Sequence, residues 1–277
     1  MLKDFKFSIL ISVYFKEKPE FLKLALNSLV NQTLKPNEIV LIKDGTLSPE
    51  LDTVIKDFQN NFHTLQIITN ENNLGLSASL AKGLKACSFE YVARMDSDDI
   101  CRFDRFETLI KHAIKNPEID IIGSWAIKID NEGNEIGILK TPLENAKIHS
   151  LIWACPFIHP SVLFKKSRIL DAGNYDMADG PRQDDYSLWF RCAIKKYRFE
   201  NLNTTLIYYR FNSETINKNG IRVGWARFKV GFTGCLKLKM GPKAFIGITV
   251  PLIRSLLPFP LNNWFYQVTS KFNPRVQ

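Results

Sequence analysis

The sequence predicts an α/β protein built on a mostly parallel sheet flanked by helices, and three observations carry that reading. Short apolar runs alternate with segments of helical periodicity along the first hundred residues or so, the pattern of strands joined by crossover helices. The first run, Phe7 to Tyr14, is apolar at nearly every position, as expected of a strand buried on both faces. A later run, Tyr91-Val92-Ala93-Arg94-Met95, stops at three carboxylates, Asp96, Asp98 and Asp99. Open α/β sheets bind their ligands at the carboxyl ends of strands.

The elements follow in order. Pro19 opens the first helix, with Phe21, Leu22, Ala25, Leu29 and Val30 at helical spacing. The second strand spans 38–42 and ends at Lys43-Asp44-Gly45, and a helix covers about 49–58. The third strand, 65–69, ends at Asn70; residues 76–86 read as a helix and 91–95 as the fourth strand. Beyond the acid cluster the pattern loosens. A helix is expected over 103–114 and a strand over 119–122. Asn131-Glu132-Gly133-Asn134 makes a hairpin between 127–129 and 136–139. A strand over 160–164, a helix over 184–196 and a strand over 206–211 complete the reading. No internal repeat or low-complexity segment interrupts it. The one clear boundary is a composition shift near residue 215. It separates a domain, 1–214 (a first half, 1–100, with the dimension of a nucleotide-binding half, and a second half, 101–214), from a tail, 215–277.

Composition bounds the class. Apolar residues make up 45% and charged residues 23% of 277, ordinary for a globular chain. The net charge is +9 but unevenly placed. The last acidic residue is Glu214, and from Thr215 to Gln277 there are ten Lys or Arg and no Asp or Glu, which leaves about −1 on residues 1–214. Five cysteines (87, 101, 155, 192 and 235) form no C-x-x-C pair, which fits a reducing compartment rather than a disulfide framework. The four histidines have no zinc spacing. No long apolar run follows the N-terminus, so a signal peptide is not expected.

The acid cluster carries the chemistry. If strand alternation continues, Asp96 and Asp98 share a side and repel each other unless a cation lies between them. Hard oxygen ligands of this kind suit Mg²⁺ or Mn²⁺ shared with a substrate's phosphates. The competing account is a loop acid that caps a helix just beyond Asp99. A second pair, Asp184-Asp185, stands at the first turn of an apolar helix. Capping and dipole compensation, about 0.5–2 kcal/mol, account for that pair on its own. The loop from Gly173 to Gly180 could instead lead it into a cleft.

Together these segments resemble the bacterial family 2 glycosyltransferases, which have the GT-A fold with a Rossmann-like sheet. The matching pieces, in order, are Ile9-Leu-Ile-Ser-Val-Tyr-Phe15, Lys43-Asp44-Gly45, Asn73-Leu74-Gly75-Leu76 and Arg94-Met-Asp96-Ser-Asp98-Asp99. His159-Pro160-Ser-Val, Gly173-Asn-Tyr175 and Asp184-Asp185-Tyr186-Ser-Leu188-Trp189 follow, so the likeness covers about 6–212. The resemblance implies that Ser12, Tyr14 and Glu17 line the nucleotide pocket. It implies that Asp44 accepts a hydrogen bond from the base and that Asn73, Gly75 and Ser79 approach the nucleotide. Asp96 would face ribose or a water on the metal, and Asp98 would bind Mn²⁺ or Mg²⁺. Asp185 matches the catalytic base. Asp184, standing where the family has Glu, falls with His159 and Trp189 on the acceptor side, in the second half of the domain. Trp189 is equally a core aromatic. Arg94 is a further cation or the partner of a carboxylate. Lys82 stands near a common Asn, and Asn212 stands where many members have a metal-touching His.

The implied activity is metal-dependent, inverting transfer of a hexose from a nucleotide-sugar, UDP-sugar first among them, to a glycan hydroxyl. The setting is synthesis of a cell-surface polysaccharide: O-antigen, capsule or lipooligosaccharide. The basic tail, interleaved with aromatics and with the apolar run 244–260, is too short and broken to span a bilayer and suits an amphipathic segment on an anionic surface. A peripheral enzyme on the cytoplasmic face of the plasma membrane, acting on a lipid-linked acceptor, is expected. Helices packed back on the catalytic domain are the alternative, and nucleic acid is not expected as a partner because no such motif accompanies the charge. Two other functions compete. A sugar nucleotidyltransferase would need a Gly-rich loop where this chain has Phe15-Lys-Glu-Lys-Pro19. A catalytically inactive membrane-binding module is the non-enzyme reading.

Overall fold

A computed structural model of the chain describes residues 4–211, 220–258 and 261–270, together with Leu2. β1 (Phe7–Tyr14), α1 (Pro19–Val30), β2 (Glu38–Asp44), α2 (Pro49–Asn61), β3 (Leu65–Thr69), α3 (Leu76–Ala86) and β4 (Tyr91–Asp96) alternate as expected. The strands lie in the order β3-β2-β1-β4, all parallel.

β1 is the spine because both of its faces are covered. Phe7, Ile9, Ile11 and Val13 pack in one core with residues of α1, α2 and α4 (Arg105–Lys115). Leu10 packs in the other with Leu80 and Leu84 of α3. A strand sandwiched in this way has no polar alternation to show in its sequence. Gly83 allows α3 to sit close, since a Cβ there would fall 2.4 Å from Leu10 Cδ1. The register sets Ser12 of β1 abreast of Asp96 of β4, and Tyr14 abreast of Asp44 of β2. Four residues of the expected nucleotide site are thereby brought to one edge by backbone pairing alone.

The second half extends the same sheet with mixed strands: β5 (Ile100–Cys101), β6 (Ile121–Ile129), β7 (Glu135–Leu139), β8 (Leu163–Lys165) and β9 (Phe199–Arg210). The order continues from β4 as β8-β6-β9-β5, with β7 hairpinned on β6. β8 runs antiparallel to β4 and β6, whereas β6 and β9 are parallel. The expected hairpin is present. The strand expected over 160–164 starts later, because residues 159–161 form a 3-10 turn in which Ser161 Oγ donates to the Ile158 carbonyl. The strand expected over 206–211 begins at Phe199; its first half, rich in Asn and Thr, hides its extended character. There Asn201 Nδ2 donates to the carbonyls of Pro142 and Pro156. Two helices of six residues each, α5 (Asn145–Ser150) and α6 (Lys166–Asp171), are too short to show a period. α7 (Asp184–Ile194) matches its expected place.

The basic region folds onto this body. α8 (Ile221–Lys237) packs on α7, and α9 (Pro242–Leu256) packs on α8 and on a 3-10 turn, Ile152–Ala154; α10 (Leu261–Ser270) follows. The contacts are close because glycines face bulky rings. A Cβ at Gly234 would fall 2.2 Å from Phe190 Cδ1, and one at Gly247 would fall 1.9 Å from Trp153 Cζ3. Cys235, Ala244 and Ile248 are buried in the same core as Tyr186, Trp189 and Phe190. The shift near 215 therefore marks a change of charge rather than a break in the core. Gly247→Val is expected to lower stability by about 1–3 kcal/mol through overpacking, read as a drop in Tm with the circular dichroism of the fold retained. An unchanged Tm would mean that α9 does not rest on the catalytic body.

Candidate active site

The site begins where β4 ends. Strand geometry stops at Asp96, so the alternation expected to align Asp96 and Asp98 does not operate; a bend over 97–99 does that work instead. Asp96, Asp98 and Asp99 each offer a carboxylate oxygen, and these lie within 4.8 Å of one another. No helix starts just beyond Asp99, whose Oδ1 accepts from the backbone N–H of Arg210 at 2.8 Å, so capping does not explain the cluster. Burial, then the charges of Asp96 and Glu17, push the Asp98 carboxyl up to about 7. Burial and the neighbouring Asp98 and Asp96 hold Asp99 well above the usual range, and its Oδ2 is buried without a partner. An all-oxygen cluster strained by its own charge fits a hard divalent cation.

Arg210 ties this bend down. Its Nε donates to the Asp98 carbonyl at 2.9 Å, and its Nη1 donates to the carbonyls of Asp130 (2.8 Å) and Asn131 (3.1 Å). The guanidinium lies 3.9 Å over the Phe21 ring. Glu17 accepts from Ser97 Oγ and, at 2.9 Å, from the Lys18 N–H; burial raises its carboxyl above the normal range. Sequence reasoning missed Arg210, which reaches the bend from 111 residues away. Asn212, weighed as a metal contact, lies outside the described residues.

The edge expected to face the nucleotide is organised by Asp44. The carboxylate is buried; its Oδ1 accepts from Leu74 N (2.9 Å) and Asn70 Nδ2 (3.0 Å), and its Oδ2 accepts from Gly75 N (2.9 Å). Asp44 is therefore already a latch for residues 70–75. Gly45 (φ 86°) meets the same loop, where a Cβ would fall 2.7 Å from Asn73 N. Asn73 Nδ2 donates to the Asp44 carbonyl at 3.3 Å. Ser79, expected to approach the nucleotide, is instead fully buried inside the network, its Oγ accepting from Asn70 Nδ2 at 3.0 Å. Lys82 braces Asn70 Oδ1 at 3.0 Å. Ser12 is half-buried and Tyr14 exposed at the sheet edge. After burial, the charges of Glu17 and Asp98 raise the Tyr14 hydroxyl, against the pull of Arg182. The charges of the acid bend and of the loop before α7 are thus both felt at the end of β1.

The charge of Arg94 is felt at both carboxylate pairs. It is 1% exposed and ion-paired with Asp96. Burial pulls its pKa down, but Asp96 overrides this, with Asp184 adding to the effect, and the net displacement is upward. Its Nε and Nη1 have no acceptor. Burial and the adjacent Asp185 raise Asp184 to about 7, against the field of Arg94. Asp185 is less buried; its Oδ1 accepts from Tyr186 N at 2.7 Å and its Oδ2 from Cys155 Sγ at 3.4 Å. His159 lies 3.7 Å from Asp184 but is no ionic partner, because burial drives its pKa well below the usual imidazole value. Its Nε2 pairs with Tyr175 Oη at 3.0 Å. Trp189, considered for sugar stacking, is fully buried against Phe157 and His159, so it offers no face to an acceptor. The apolar helix period explains it as core.

The Glycosyl transferase family 2 model matches residues 8–172. The chain is 38% identical over 271 residues to the amylovoran biosynthesis glycosyltransferase AmsE of Erwinia amylovora, covering 96% of this chain and 99% of that protein. It is 36% identical over 216 residues to an Escherichia coli enzyme named UDP-Gal:alpha-D-GlcNAc-diphosphoundecaprenol beta-1,3-galactosyltransferase, covering 78% of each. Among solved structures, S. aureus TarS 1-349 superposes with a TM-score of 0.65 at 18% identity, over 94% of this chain and 74% of that one, which speaks for the fold. The chain belongs to glycosyl transferase family 2, with the GT-A fold, and is a glycosyltransferase.

Asp184 has a consequence for stability. Its folded pKa of about 7 exceeds the ordinary carboxylate value, so it contributes nothing unfavourable at pH 3, where both states are protonated. As pH rises toward 7 the unfolded state ionises first and stability falls. Asp184→Asn is expected to lose less Tm between pH 5 and pH 8 than the parent protein, measured by calorimetry in metal-free buffer.

Proposed function

We propose that this glycosyltransferase moves a hexose from a UDP-sugar to a hydroxyl of a lipid-linked glycan, with inversion, in the assembly of a bacterial cell-surface polysaccharide. The observation that carries the reading is the cluster of Asp96, Asp98 and Asp99, whose carboxylate oxygens lie within 4.8 Å of one another, with Arg94 ion-paired to Asp96 and its charge felt at Asp184. The cluster suits a diphosphate and its cation; the pair Asp184–Asp185 can receive a proton. The names of relatives support the setting: amylovoran synthesis, a UDP-Gal donor and a diphosphoundecaprenol acceptor. TarS 1-349 has also been solved with UDP-GlcNAc, at a TM-score of 0.63 and 17% identity.

The latch of Asp44 holds residues 70–75 against the base and ribose. Asp98 and Asp96, with Asp99 behind them, would hold Mg²⁺ or Mn²⁺. When bound, the cation stabilises negative charge on the departing diphosphate. Asp185 stands beside the acceptor hydroxyl. As the acceptor oxygen bonds to the anomeric carbon, its proton passes to Asp185 and the bond from that carbon to the phosphate oxygen breaks, leaving the nucleoside diphosphate. Attack on the face opposite the leaving group inverts the centre. Asp184 and His159 line the acceptor side.

The tail supplies the membrane side of the proposal. No helix among the described residues is long and apolar enough to cross a membrane. α8 nevertheless exposes Ile221, Trp225, Phe232 and Leu236, and α9 exposes Ile246, Ile253 and Leu256. Trp225, Phe228 and Phe232 stack along α8, with Arg222, Lys229, Lys237, Lys239 and Lys243 exposed around them. Aromatic, apolar and cationic residues on one surface suit an anionic headgroup layer.

Three measurements test these assignments. UDP with Mn²⁺ is expected to raise Tm, by linkage worth about 2.7 kcal/mol at a hundredfold excess over Kd, and Asp98→Asn to abolish the metal-dependent part. Asp185→Asn should keep the Tm response to UDP and lose about 10²–10⁴-fold in turnover; retained turnover would remove it as the base. Trp225→Glu with Phe232→Glu should detach the protein from phosphatidylglycerol vesicles in flotation while turnover of a soluble acceptor analogue persists. Undiminished flotation would separate the tail from membrane binding.

A further inference from the structure

We infer that helices α8 and α9 hold the proton acceptor in place, through Tyr186, Trp153 and Cys155, so that the surface proposed to meet lipid and the base form one rigid unit. This rests on the reading of Asp185 as the base.

The chain of contacts is short. Tyr186 follows Asp185 on α7, and its backbone N–H donates to Asp185 Oδ1 at 2.7 Å. The Tyr186 hydroxyl donates to the Trp153 carbonyl at 2.8 Å. Trp153 lies in the turn Ile152–Ala154, which delivers Cys155 in a left-handed conformation, φ 57°. From there Cys155 Sγ reaches Asp185 Oδ2 at 3.4 Å. Both carboxylate oxygens are thereby gripped by one closed loop of residues, 153, 155, 185 and 186.

α8 and α9 close that loop from outside. Gly231 of α8 lies against the Tyr186 hydroxyl, where a Cβ would fall at 2.7 Å, and Gly247 of α9 lies flat on the Trp153 ring, where one would fall at 1.9 Å. Arg227 of α8 covers the Tyr186 ring at 4.1 Å. Cys155 is a β-carbon residue in a backbone region that favours glycine, and packing of this density supplies the constraint that keeps it there. A carboxylate displaced by about 1 Å from the attacking hydroxyl loses on the order of 10²-fold in rate. Tyr186, Trp153 and Cys155 are thus positioning residues, acting through Asp185.

The test is a steady-state comparison of Tyr186→Phe, Cys155→Ala and Cys155→Ser in the full chain, with UDP-sugar and an acceptor analogue. Tyr186→Phe and Cys155→Ala are each expected to lower kcat at least tenfold with donor KM and the UDP-induced Tm shift unchanged. Cys155→Ser, which keeps a donor to Oδ2, is expected to recover most of the loss. A purely structural role would move Tm and KM together with kcat and would not distinguish Ser from Ala. Wild-type kcat in both Tyr186→Phe and Cys155→Ala, with Asp185→Asn inactive, overturns this inference alone; an active Asp185→Asn overturns the base assignment beneath it. If Tyr186→Phe does not fold, the Cys155 pair decides.

Discussion

A buried guanidinium makes this site possible. The cleft collects carboxylates from the end of β4 and from the first turn of α7, and each would repel the others if left to itself. Arg94, 1% exposed and paired with Asp96, places a buried positive charge that is felt at Asp184 as well. A buried charge costs several kcal/mol unless partnered, and breaking such a pair costs about 3–5 kcal/mol because the remaining charge is stranded. The acids and the arginine therefore depend on one another. The compensation is incomplete: Asp98 and Asp184 both sit near 7 rather than in the ordinary carboxylate range. That residual strain is what a divalent cation would relieve at Asp98.

The edge proposed to face the nucleotide is built by backbone rather than by side chains reaching outward. Parallel pairing puts Ser12 beside Asp96 and Tyr14 beside Asp44. Asp44 then binds the amides of Leu74 and Gly75, so one carboxylate aligns the loop that enters α3. Ser79 and Asn70 serve the same network from inside. A motif that resembles a set of ligand contacts is, in good part, the framework on which such contacts are mounted.

The C-terminal helices join two demands. Their outer faces keep aromatic and basic residues exposed, while their inner faces use glycines to lie against Tyr186, Phe190 and Trp153. A glycine-lined helix can approach more closely than any other, and close approach excludes alternative packings. The region that looked separable by charge is thus continuous with the core that carries Asp185.

Much of this was legible in the sequence. The βα alternation of residues 7–96, the hairpin of β6 and β7, and the acid cluster after β4 all follow from local pattern, because burial on two faces and strand-end chemistry leave a mark at short range. Asp96 and Asp98 stood out that way, whereas Asp184 and Asp185, which capping explains locally, were singled out only by the family resemblance. Other features depend on contacts between distant segments. Arg210 reaches the acid bend from β9, Asp44 and Ser79 turn inward, Trp189 is sealed in the core, and α8 and α9 fold back on α7. Periodicity reports which side of an element is apolar, but not what covers it. Only the tertiary structure decided that Arg94 is buried against Asp96, since a charge becomes buried through neighbours that the chain brings in from far away.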